Sequence, residues 1–188
     1  SFQLMTMKRS PGIAVLTNLA PNHLDIHTDM DEYVHAKENI FIHQDAQGLL
    51  VTNWDNDLAR KSAQKGYGKV GYFTRSEDVV PAFGCYLQHE AIWYNDGKEC
   101  REVLRLEDIL IPGVHNIENY MAAILAVEGL VDDETVRCVA KTFGGVEHRI
   151  ELVRVKDGVR YYNDSIASSP SRTIAGLRSF TEKVILIA

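Results

Sequence analysis

The chain has 188 residues, of which 45% are hydrophobic and 24% charged, with a formal net charge of −6. That is ordinary globular composition, long enough for one full core and part of a second. The acidic balance and the lack of a Lys/Arg cluster argue against nucleic acid or an anionic membrane as a general partner, although one anionic nucleotide could still bind locally.

Cys85, Cys100 and Cys138 show no CxxC spacing, so no disulfide framework is expected and a reducing cytoplasm is the simplest location. No apolar run approaches membrane-spanning length, and SFQLMTMKRS lacks a signal-peptide core. Both ends read as cut: the chain opens on Ser-Phe-Gln-Leu and closes inside KVILIA, a buried-strand pattern.

In chain order, residues 13–18 (IAVLTN) are expected to form a buried parallel strand. Residues 30–43 form a helix whose apolar stripe is Met30, Tyr33, Ala36, Ile40 and Phe41. A strand at 48–52, a short helix at 55–64 and a strand at 68–74 follow, an alternation that predicts an α/β unit with a mainly parallel sheet. Residues 83–104 are aromatic and β-forming, and Asn95-Asp96-Gly97 supplies the turn of an antiparallel hairpin. Helices resume at about 116–130 and 133–143, the second with Val136, Val139, Ala140 and Phe143 on one face, before Gly144-Gly145. Beyond a boundary near 144–148, strands at 150–156 and 159–163 join across Asp157-Gly158. Ser169-Pro170 opens a helix carrying Ile174, Leu177 and Phe180, and residues 183–188 form a last strand.

Three constellations could carry chemistry. Asn22-His23-Leu24-Asp25-Ile26-His27 alternates imidazole and carboxylate, which suits divalent metals, or is a solvated loop before a helix. Lys37 falls inside the apolar stripe of the next helix, where it must snorkel, pair with a charge or be chemically altered. Asn116 and Asn119 open a helix, with Asn116 as its cap and Ile117, Tyr120, Met121 and Ile124 packing inward. Their amides could also meet a purine edge. His148-Arg149, followed by Asp164, could clamp phosphate and a ribose hydroxyl, or form a surface ion pair of small value. Gly66-Tyr67-Gly68-Lys69-Val70-Gly71 matches GxGxxG but follows a helix and enters a strand, the reverse of a dinucleotide fingerprint. No GxxxxGK[ST] loop and no GxSxG elbow occurs.

Taken together, these segments resemble the Mur ligase family, in its D-glutamate-adding branch, over essentially the whole chain. Ser1-Phe2-Gln3-Leu4 resembles the tail of that branch's Glu-Leu-Ser-Ser-Phe-Gln-Leu motif. TNLAPNHLDIHTDMDEYVHAKENIF resembles TNLxxDHLDxHxxxxxYxxAKxxIF, and PGVHNIENYMAA resembles the helix-opening G-x-H-N-x-x-N motif. EHRIE and YYNDSIASSPSRTIAGLRSF resemble the HRxE and NDSKATNPxxTxxAL segments.

The resemblance implies a three-domain enzyme. Residues 1–145 would be most of the central ATP-binding domain without its phosphate-loop part, and residues 146–188 the truncated start of a Rossmann-like, amino-acid-binding C-terminal domain. It implies ATP and magnesium as cofactors. The reaction would join D-glutamate to UDP-N-acetylmuramoyl-L-alanine through an acyl phosphate, in peptidoglycan synthesis. His23 would be a magnesium ligand, and Lys37 a carbamylated lysine serving the metal site and catalysis. Asn116 and Asn119 would contact adenine, Arg149 phosphate, Asp164 ribose and Ser168 the amino acid. Two departures stand out: Ile166 replaces the motif's lysine, and Asn22 its usual aspartate. The chain alone is expected to be inactive and to self-associate through exposed sheet edges. A non-catalytic nucleotide-binding module or a degenerate paralogue is the alternative.

Overall fold

The computed structural model describes residues 2–20, 29–168 and 170–187. Among these, six strands form one sheet in the order β1 (Ile13–Leu16), β2 (Leu49–Asn53), β3 (Lys69–Thr74), β4 (Gly84–Gln88), β5 (Ala91–Asn95) and β6 (Cys100–Arg105). Strands β1 to β4 run parallel, and β4 to β6 form an antiparallel meander. The expected α/β class with a mainly parallel sheet is what the chain adopts.

Alternating side chains on β2 explain the layering. Leu50 points into a core with α1 (Met30–Glu38) and α2 (Asp57–Ala63), together with Leu16, Tyr33, Phe41 and Ala59. Val51 points the other way, into a core with α3 (Val114–Val127) and α4 (Asp133–Thr142) that holds Phe73, Met121, Leu125 and Ala140. A central parallel strand therefore reads as continuously apolar. β1 departs from this pattern: Ala14 and Leu16 are buried, but Ile13 and Val15 are exposed, because β1 is an edge of the described sheet with one covered face.

The aromatic segment contains one more strand than a single hairpin. The turn at Asn95-Asp96-Gly97 joins β5 to β6, as expected. An unforeseen turn at His89 and Glu90, with φ of 51° and 57°, joins β4 to β5. At the start of β4, a Cβ on Gly84 would lie 1.8 Å from the Tyr72 carbonyl oxygen, so only glycine permits this parallel pairing with β3.

β7 (Glu151–Lys156) and β8 (Val159–Asn163) pair only with each other among the described residues, and α5 (Pro170–Leu177) follows. Tyr162 and Phe180 meet edge-to-face with ring centroids 4.9 Å apart, which ties α5's far end to this ribbon. The strand expected over 183–188 is not formed across the described residues 183–187, where Ile185 and Ile187 are over 90% exposed. An apolar run becomes a strand only when a neighbour accepts its hydrogen bonds, and none of the described strands does so.

Candidate functional site

The carboxyl ends of parallel strands are where an α/β sheet leaves backbone and loop side chains free to gather. Here that edge is tied together by polar side chains. Asn53, which is buried, donates from Nδ2 to Asn18 Oδ1 at 3.1 Å. Asp55 accepts from Thr74 Oγ1 at 2.5 Å and from the Arg75 amide at 2.8 Å. Arg75 Nε then donates to Glu118 Oε1 on α3 at 2.7 Å.

α3 begins after Gly113, whose φ of 102° turns the chain from Pro112 into the helix. Among the described residues no side chain caps this end, so the expected capping role of Asn116 is not what the structure contains. Asn116 lies inside the first turn. Its Nδ2 donates back to the Pro112 carbonyl at 2.6 Å, and its Oδ1 accepts from Asn119 Nδ2 at 3.2 Å. The glycine supplies the turn that a cap residue would otherwise direct, which frees the asparagine for the helix face.

Opposite this face stands the turn at 148–150. His148 and Ile150 both have positive φ, 65° and 46°, which is strained for a β-branched residue. Asp164 Oδ1 accepts from the Ile150 amide at 3.2 Å, and the His148 amide donates to Glu151 Oε2 at 2.8 Å. These bonds hold Arg149 at the apex. Between the turn and α3 lies a pocket of about 310 Å³. Asn116, Asn119, His115 and Arg149 give it polar groups, while Ile111, Phe143 and Val146 give apolar walls. Tyr120 also lines it, and among the described residues its buried hydroxyl has no hydrogen-bond partner.

Burial pushes the His115 imidazole below its ordinary value of 6.5, and the Arg149 charge pushes the same way, against weaker upward pulls from Glu118 and Asp164. His115 is therefore neutral near pH 7, and Arg149 is the cation that lines this pocket. A mostly apolar slot with paired amides at one side and a guanidinium at the other suits a flat heterocycle carrying an anionic group.

Of the expected site residues, Asn116, Asn119 and Arg149 come together on this pocket, and Asp164 supports the turn that presents Arg149. Ser168 lies apart, in an open groove of about 500 Å³ with Thr173, Leu177 and Leu186. Ile166 is 48% exposed, its amide donating to the His148 carbonyl at 3.3 Å.

Lys37 is half-buried on α1 with Nζ 5.8 Å from the Tyr33 ring centroid. The fully buried charge on α1 is its neighbour Glu38, paired with Lys65 Nζ at 2.6 and 2.9 Å. His23, Asn22, Asp25 and His27 lie outside the described residues. Among the described ones, no three His, Cys, Asp or Glu side chains stand close enough to hold a metal ion, so they do not by themselves fit magnesium.

Sequence reasoning missed the Arg75–Glu118 pair and the pocket's walls. One signal was available: Val139 on α4 and Phe143 just after it share one apolar face, yet both are at least 40% exposed, because they line the pocket and not the core. GxGxxG behaves as expected, running from the end of α2 into β3.

The model of the Mur ligase middle domain matches residues 3–127. The chain belongs to the Mur ligase family. Among Mur ligases, it is 55% identical over 188 residues to the UDP-N-acetylmuramoylalanine--D-glutamate ligase of Acetivibrio thermocellus and 51% identical to that of Clostridium beijerinckii. All of this chain aligns in both cases, but it spans only about 40% of the length of these curated relatives. Its fold is similar to that of MurF from Acinetobacter baumannii, with TM-score 0.65 at 19% identity over 90% of this chain and 37% of that one. It is equally similar to MurF ligase from Thermotoga maritima in complex with ADP, with TM-score 0.64 at 20% identity over 93% and 40%. No helix among the described residues is long and apolar enough to cross a membrane.

Proposed function

We propose that this chain is the nucleotide-binding part of an ATP-dependent ligase that joins D-glutamate to UDP-N-acetylmuramoyl-L-alanine in peptidoglycan synthesis. The observation that carries this reading is the convergence of Asn116, Asn119 and Arg149 on one mostly apolar pocket. The activity named for its relatives supports the substrates, and the ADP complex of a protein of the same fold supports the nucleotide.

On this reading the adenine enters between Phe143, Val146 and Ile111 and meets the α3 amides, with Asn116 oriented by its bond to Pro112. Arg149 faces the phosphates from a turn that Asp164 braces, and Asp164 is assigned the ribose hydroxyl. A guanidinium carried on this braced turn can stabilise the charge that develops during phosphoryl transfer. Residues 1–145 act as the central domain, and residues 146–188 open the amino-acid-binding domain, where Ser168 lines the second groove. Lys37 as a carbamate and His23 as a magnesium ligand complete the reading. A cytoplasmic location fits this reading.

The test is a phosphate-release assay on a polypeptide of the relatives' full length that contains this chain, supplied with ATP, UDP-N-acetylmuramoyl-L-alanine and D-glutamate. Release that depends on D-glutamate is expected, with Arg149→Met lowering kcat/KM about 100-fold. Nucleotide binding without any D-glutamate-dependent release would instead favour a binding module.

A further inference from the structure

Glu118 is an unexpected residue where it stands. It falls between Asn116 and Asn119 on α3, its side chain is only 17% exposed, and its charge reaches His115 on the pocket wall. The first turns of a helix carry positive partial charge from unsatisfied amides, which favours an anionic ligand. An uncompensated carboxylate on the same helix turn would oppose that attraction.

Arg75 answers this charge. Its Nε lies 2.7 Å from Glu118 Oε1. Its own position is fixed at the end of β3, because Asp55 clamps both the Thr74 hydroxyl and the Arg75 amide. Arg75 does not line the pocket.

The geometry points to Arg75 as a positioning residue that neutralises Glu118 and so keeps the α3 site receptive to a nucleoside polyphosphate. The inference rests on the nucleotide reading above. It separates two jobs: Asn116, Asn119 and Arg149 contact the ligand, and Arg75 sets the field in which they act. Loss of Arg75 therefore penalises the phosphates and not the nucleoside.

Calorimetric titration of the 188-residue chain with ADP and with adenosine tests this. Arg75→Met is expected to weaken ADP about threefold to tenfold, the range for one unit charge several ångströms away at intermediate dielectric, and to leave adenosine within about twofold. Arg75→Lys should bind ADP like the unmodified chain, and Glu118→Gln added to Arg75→Met should restore ADP affinity. Equal weakening of both ligands, or a double variant no better than Arg75→Met, overturns the inference. Should Arg75→Met fail to fold, Glu118→Gln alone decides: unchanged or tighter ADP binding is expected, and weaker binding overturns it. An unmodified chain that binds neither ligand overturns the nucleotide reading itself, and the inference with it.

Discussion

His115 carries two influences in one direction, burial first and then the Arg149 charge, and both hold its imidazole below 6.5. In the interval between the depressed value and the ordinary one, the unfolded chain binds more protons than the folded one. This residue's contribution therefore makes stability fall as pH drops through 6.5, and the loss levels off once pH is below the folded value. A proton-resolved NMR titration is expected to give His115 a midpoint below 6.5, and Arg149→Met should raise it part of the way. A midpoint at or above 6.5 would separate His115 from Arg149. Gly113 belongs to the same corner. A Cβ there would lie 2.5 Å from Ser179 Oγ and 2.7 Å from His115 Cε1, at a φ of 102° that side chains avoid. Gly113→Ala should cost about 2 kcal/mol in urea denaturation, from backbone strain and displaced neighbours. Retained stability would mean that the loop relaxes freely. Neither the sign of φ at Gly113 nor the Arg75–Glu118 contact was legible in the sequence. Asn116, Asn119 and Arg149 were, because motif spacing survives without coordinates. Lys37 illustrates the limit: helical periodicity placed it within the apolar stripe, yet the fully buried charge is Glu38 one position on, stabilised by Lys65 from beyond α2. Such a partner is invisible to local periodicity.

At the scale of elements, the parallel strands and the helices between them followed from short apolar runs and helical spacing. The meander did not, because its first turn uses His89 and Glu90, residues without the usual turn chemistry. Both adopt left-handed backbone that Asn-Gly would accept at lower cost. Replacing His89-Glu90 by Asn-Gly should stabilise the chain by about 1 kcal/mol, read as a higher urea midpoint with an unchanged slope. A lower midpoint would show that the two side chains contribute more than their backbone strain costs. The run at 183–187 failed for the opposite reason. Its composition is that of a core strand, but strand formation is a property of a pair, and no described strand lies beside it.

For the whole molecule, the pocket is a seam. One wall is α3 and the end of α4, packed on the six-stranded sheet, and the other is the turn entering the β7–β8 ribbon. Such junctions between units are where ligands commonly bind, and a ligand there links the two units. The family was legible from ordered motifs, but the seam was not, since its apolar walls come from residues 111, 143 and 146, which no motif contains. The most direct measurement is an ADP titration of the isotopically labelled chain followed by backbone amide shifts. Changes are expected to concentrate at residues 114–120 of α3, at residues 143–150 and at Asp164, with β5 and β6 unaffected. Saturable binding that leaves residues 114–120 and 143–150 unshifted would contradict it.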